Sequence, residues 1–95
     1  MNDDVRHESS GGRGEFYIER DGQRIARLTY TVAPQVTTLD HTEVDTSLRG
    51  TGTGQRLVEA AVEWARNEGV KLKPVCSFAR AQFKRSTAFA DVLAK

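Results

Sequence analysis

The stretch Arg49-Gly50-Thr51-Gly52-Thr53-Gly54-Gln55-Arg56-Leu57 constrains this chain more than any other. It lies between a run with strand character and the longest helical pattern. Glycines at every second position let backbone N–H groups turn toward a ligand with no Cβ in the way. A helix starting there adds unpaired first-turn N–H groups and the positive end of its dipole. Together these form a cradle for an anion, although the same spacing also suits a plain flexible loop leading into a helix. Two common phosphate motifs are excluded: a dinucleotide fingerprint starting at Gly50 needs glycine where Gln55 stands, and a Walker loop ends in Gly-Lys-Ser/Thr.

The residues before the loop predict a small sheet. Phe16-Tyr17-Ile18 and Ile25-Ala26-Arg27-Leu28-Thr29-Tyr30 are rich in strand formers, with Asp21-Gly22 as a hairpin turn between them. Pro34 ends the second run, and residues Val36 to Val44 form a third. Plain alternation along that third strand puts Leu39, His41, Glu43 and Asp45 on one face and Thr42 and Val44 on the other. After the loop, Leu57, Val58, Ala61, Val62, Trp64 and Ala65 make one apolar stripe, so a helix is predicted from about Thr53 to Asn67, ending at Gly69. A fourth strand, Val70 to Lys73, then returns parallel to the third by a right-handed crossover, with Pro74 at its end. A helix over Ser77 to Arg85 and a terminal helical turn near Phe89 to Leu93 complete the chain.

The fold expected is α/β in the α+β sense: a mixed, mainly antiparallel sheet of about four strands with two main helices. Residues 1–13, with Ser9-Ser10-Gly11-Gly12, read as a mobile tail, and residues 14–95 as one domain. At 95 residues, 38% hydrophobic and 28% charged, the chain has the make-up of one soluble domain. A single cysteine allows neither an internal disulfide nor a cysteine-rich zinc site, and no metal is expected. Neither a signal peptide nor a membrane span is visible, so a cytoplasmic protein without a membrane partner is expected. The net charge of +1 argues against nucleic acid as the main partner. Residues 1–46 carry 5 basic and 9 acidic groups, and residues 47–86 carry 8 and 3. The basic part surrounds the glycine loop and suits a polyphosphate, while the acidic part suits a cationic amine; chance unevenness of a small surface explains the split equally well.

Three motifs occur in order: His41-Thr42-Glu43-Val44, the Arg49-Gly50-Thr51-Gly52-Thr53-Gly54 loop, and Pro74-Val75-Cys76-Ser77-Phe78. In this order they resemble the small single-domain group of the Gcn5-related N-acetyltransferases, over about Phe16 to Leu93. In that superfamily an R/Q-x-x-G-x-G/A segment holds the pyrophosphate of coenzyme A. Gly52 and Gly54 fit its glycines, while Arg49 is displaced by one or two positions. The resemblance implies acetyl-CoA as cofactor, with Val44, Arg49, Gly50, Thr51, Gly52, Thr53, Gly54 and Gln55 as its binding residues, and transfer of acetyl to an amine of a small molecule, a protein lysine or an N-terminus.

An amine must lose a proton to attack, so a titratable side chain has to reach it. His41 and Glu43 are the candidates, His41 ahead because imidazole as a class titrates nearest neutrality. Many larger relatives carry a tyrosine near Phe83 as acid for the departing thiolate, and phenylalanine has no proton to give. Cys76 is the third candidate catalytic residue: placed at a strand end beside a helix start, it could take the acetyl group and pass it on with help from His41. A lone cysteine also serves as buried filler. His41, Glu43, the loop and Cys76 are expected to converge at the ends of the two parallel strands. Two other readings stay open: a coenzyme-A-binding module without catalysis, and an interaction domain using the sheet edge. Coenzyme A and an amine acceptor are the expected partners, with the chain a monomer or weak dimer.

Overall fold

A computed structural model describes residues 4–94. Five strands, β1 (Arg6–Ser10), β2 (Arg13–Arg20), β3 (Gln23–Ala33), β4 (Val36–Val44) and β5 (Lys71–Pro74), lie side by side in chain order. The first four pair antiparallel and β4 pairs with β5 parallel. Helix α1 (Thr53–Glu68) makes the crossover that parallel pairing requires, and α2 (Ser77–Arg85) follows β5. Short 3₁₀ segments cover Thr46–Leu48 and Thr87–Val92.

The turns follow from the residues that make them. Asp21 and Gly22 both take positive φ, 50° and 77°, the geometry of a tight two-residue hairpin. Gly69 closes α1 at φ 69°, its N–H bonded to Ala65 O. The apolar stripe of α1 buries Leu57, Val58, Ala61, Val62 and Ala65 against Phe16, Ile18, Ala26, Leu28, Tyr30, Leu39 and Leu72 of the sheet. Ala79 and Phe83 of α2, with Phe89 and Val92, belong to the same cluster. The Phe83 ring packs tilted against Phe89, ring centroids 5.5 Å apart, so it belongs to the core. Arg66 ties α1 to the C-terminal segment: both Asp91 oxygens accept from it at 2.9 Å, and Ala88 O accepts at 2.7 Å.

Two expectations need correction. The stretch expected as a tail contains a strand: Arg6–Ser10 pairs with β2 across Gly11-Gly12, whose φ values of 62° and 81° make a hairpin turn. Its anchor is His7, stacked 4.2 Å from Phe16, with Nε2 2.6 Å from the Tyr30 hydroxyl. The sheet therefore has five strands rather than about four. Of the remaining tail positions, Met1 to Asp3 lie outside the described residues.

The second correction concerns the faces of β4. Thr29 pairs with His41 but the next residue, Tyr30, pairs with Leu39, so Asp40 is an extra residue on β4. Its carboxylate accepts the Thr31 hydroxyl at 2.6 Å. The bulge reverses the alternation: Thr37 and Leu39 face the helices before it, and Thr42 and Val44 do so after it, opposite Leu28 and Ala26. His41 and Glu43 stand on the opposite, open face, away from Leu39.

The tightest backbone approach is at Gly14, where a Cβ would sit 2.1 Å from the ring of Tyr30, itself 2% exposed. Gly14→Ala is therefore expected to destabilise by about 1–3 kcal/mol, read as a lower urea midpoint. Gly11→Ala is expected to show only the smaller effect of positive φ, because the space around it is open.

Candidate active site

Beyond Val44 the chain turns through the 3₁₀ segment, capped by Asp45. Asp45 Oδ1 accepts from the Ser47 hydroxyl at 2.7 Å and its N–H at 2.9 Å. The same two bonds hold the Asp45 carboxyl below its usual range. Gly50 and Gly52 follow with φ of 81° and 83°, and the Thr51 hydroxyl donates to Leu48 O. Gly52 is the N-cap of α1 and brings no side-chain cap; the first N–H to bond back is that of Arg56, to Gly52 O at 3.1 Å. The N–H groups of Thr53, Gly54 and Gln55 are thus left without partners from the helix.

These groups open on a groove of about 650 Å³. One wall is the loop and helix start, Leu48 to Gly50 and Gly52 to Gln55, with Thr42 and Val44 beside it. The other is α2, through Phe78, Gln82 and Arg85. Seven of the eight residues expected at the cofactor line it: Val44, Arg49, Gly50, Gly52, Thr53, Gly54 and Gln55. Thr51 does not; it braces the loop from within. The α2 wall was missed in the sequence, although Phe78, Gln82 and Arg85 at i, i+4 and i+7 mark one helix face. The glycines also differ in purpose. Gly52 has open space around it and is needed for its positive φ, whereas a Cβ on Gly54 would lie 2.6 Å from the Phe78 ring.

On the other side of β4 lies a second hollow of about 610 Å³, lined by Arg24, Arg27, His41, Glu43 and Asp45 among others. His41 Nε2 is 3.0 Å from Glu43 Oε1, and Arg27 Nε donates to Glu43 Oε2 at 3.2 Å. The bond with His41, then Arg27, holds the Glu43 carboxyl below the ordinary carboxylate range. Both side chains are largely exposed, 61% for His41 and 52% for Glu43. Thr42, Val44 and Arg49 line both hollows, so the end of β4 is the partition between them.

Cys76 does not join His41. It is the N-cap of α2, half-buried, its Sγ 3.2 Å from Thr42 Oγ1 and accepting the Ala79 N–H at 3.4 Å. The expected convergence of His41, Glu43, loop and Cys76 is therefore split by the strand. The bulge at Asp40 is the reason, because it turns Thr42 rather than His41 toward the side where Cys76 lies.

A sequence profile described as GCN5-related N-acetyl-transferase matches residues 15–92. The chain belongs to the GCN5-related N-acetyltransferase family. It is thereby an N-acetyltransferase by family. Among solved structures it is similar to a GCN5-like protein of Staphylococcus aureus, at 30% identity and TM-score 0.75 over 99% of this chain and 91% of that one. It is also similar to the ribosomal-protein-S18-alanine N-acetyltransferase of Escherichia coli, at 21% identity and TM-score 0.67, over 81% of this chain and 53% of that enzyme. An aminoglycoside N-acetyltransferase solved in complex with CoA matches at 17% identity and TM-score 0.63, over 78% of this chain and 79% of that one. The last two likenesses are of fold alone, and the family member spans about half the length of the E. coli enzyme. No curated protein sequence matches the chain.

Two measurements check the site's geometry. Gly54→Ala is expected to destabilise the fold, and Phe78→Ala on the same chain to restore much of the loss by vacating the space, both read by thermal unfolding. Because the folded-state Glu43 carboxyl titrates low, its pairing with His41 and Arg27 is present at neutral pH and is lost as pH falls through the carboxylate range. An NMR titration should find the Glu43 midpoint below that of ordinary glutamates, and His41→Ala should move it upward.

Proposed function

We propose that this family member binds acetyl-CoA in the groove between the loop and α2 and transfers its acetyl group to an amine arriving from the open face of the sheet. The observation that carries this reading is the shared partition: a groove fit for a polyphosphate thioester and a hollow holding His41 and Glu43 meet at Thr42, Val44 and Arg49.

The groove suits the cofactor chemically. Three N–H groups without helix partners at a helix start favour a pyrophosphate, and Arg49 and Arg85 on facing walls add positive charge. Val44, Leu48 and Phe78 supply apolar surface for a long uncharged arm. When bound, acetyl-CoA supplies an acyl carbon activated as a thioester. On the other side of the partition, His41 accepts the proton that the attacking amine must lose, and Glu43 fixes the imidazole by its 3.0 Å contact. The low-titrating Glu43 stays ionised and serves to orient rather than to take the proton. Transfer is direct in this reading, since Cys76 lines neither hollow and stands apart from His41. The acceptor hollow is open and lined by charged side chains, which suits an amine on an extended or bulky acceptor.

Calorimetric titration with acetyl-CoA, followed by acetyl transfer to a panel of amines and peptides, tests the proposal. Arg49→Ala and Arg85→Ala are each expected to weaken acetyl-CoA binding roughly tenfold. His41→Ala is expected to lower kcat by about 10²–10⁴ while leaving cofactor affinity within about twofold. Equal loss of both in His41→Ala would assign that residue a structural part.

A further inference from the structure

Resting on the acetyl-CoA reading, we propose that Thr42 is a catalytic residue: its hydroxyl serves the sulfur that leaves the acetyl group, with Cys76 behind it as the source of the proton. Thr42 stands in the walls of both hollows, facing the groove because of the bulge two residues earlier. Its Oγ1 is 3.2 Å from Cys76 Sγ, the one side-chain hydrogen bond it makes among the described residues. The groove wall on α2 offers a phenyl ring, an amide and a guanidinium at Phe78, Gln82 and Arg85, while Phe83 is packed on Phe89 in the core. The groove's other hydroxyl, that of Thr53, is engaged with Thr51 Oγ1 inside the loop at 2.7 Å. Thr42 is the hydroxyl at the seam where the acceptor hollow begins.

The chemistry needs such a pair. An alcohol alone is too weak an acid to protonate a departing thiolate, but a thiol behind it makes the net transfer one from sulfur to sulfur, nearly balanced in energy. As the nitrogen–carbon bond forms and the carbon–sulfur bond breaks, the amine's surplus proton passes to His41. Thr42 Oγ1 gives its proton to the leaving sulfur and takes the one on Cys76 Sγ. Cys76 then recovers a proton from solvent. The Ala79 N–H already directed at Sγ from 3.4 Å faces the charge that this exchange leaves there. Cys76 forms no covalent bond to acetyl in this scheme.

The test uses binding, so no acceptor is required. Affinities of coenzyme A and of its desulfo analogue, which lacks the sulfur, are measured by calorimetry for the wild type, Thr42→Val and Thr42→Ser. Wild type and Thr42→Ser should prefer coenzyme A by roughly 3- to 10-fold, the worth of one net hydrogen bond. Thr42→Val should bind both alike, with the desulfo affinity unchanged; Thr42→Ala serves in the same way if the valine variant fails to fold. A preference that survives in Thr42→Val or Thr42→Ala would overturn the assignment and leave the cofactor reading standing. A wild type that binds neither compound would overturn the cofactor reading and this assignment together. In turnover, Thr42→Val should lose about 10²-fold in kcat with acetyl-CoA and much less with an acetyl thioester of a more acidic thiol. An equal loss with both donors would also overturn it.

Discussion

The arrangement of this site depends on one extra residue. Asp40, held to Thr31 by a 2.6 Å hydrogen bond, breaks the pairing of β4 with β3 and reverses the alternation of everything after it. Without that bulge, His41 would follow Thr37 and Leu39 onto the helix side, burying a titratable ring, and Thr42 would point into solvent. With it, the last turn of β4 becomes a partition with Thr42 and Val44 on the groove side and His41 and Glu43 on the open side. A reaction between a polyanionic donor and a cationic acceptor benefits from such a wall, because each reactant can approach from its own face.

The larger plan was legible in the sequence for physical reasons. Asp21-Gly22 could make a tight turn, Gly69 could close a helix, and the stripe from Leu57 to Ala65 had one period only. The parallel return of β5 followed from placing a long helix between two strands. The bulge was not legible, because Leu39-Asp40-His41 reads as ordinary alternation and only the pairing with β3 shows which residue is extra. Strand β1 was hidden for another reason. Its residues are polar and exposed, and what fixes it is one histidine stacking on Phe16, a contact between residues 9 positions apart across a Gly-Gly turn that also resembles a linker.

The candidate site was half legible. The spacing of the glycines, Arg49 and the helix start marked out the loop, suiting an anion cradle and a plain flexible loop equally. The facing wall from α2 becomes visible only when Phe78 comes to rest against Gly54. That contact explains why glycine is needed at residue 54 even before a ligand is considered. The link between His41 and Cys76 failed because sequence nearness to the same strand end says nothing about which face each side chain takes.

The claim on which the account turns is that the loop and α2 form one binding groove for acetyl-CoA. Amide NMR spectra recorded during a titration with acetyl-CoA test it most directly. The account predicts shifts concentrated at residues 49–55, along the Phe78–Arg85 helix and at Thr42 to Val44, with the Trp64 indole and the β1–β2 turn left unmoved. Shifts confined to the β1–β3 end of the sheet, or no shifts at all at millimolar acetyl-CoA, would contradict it.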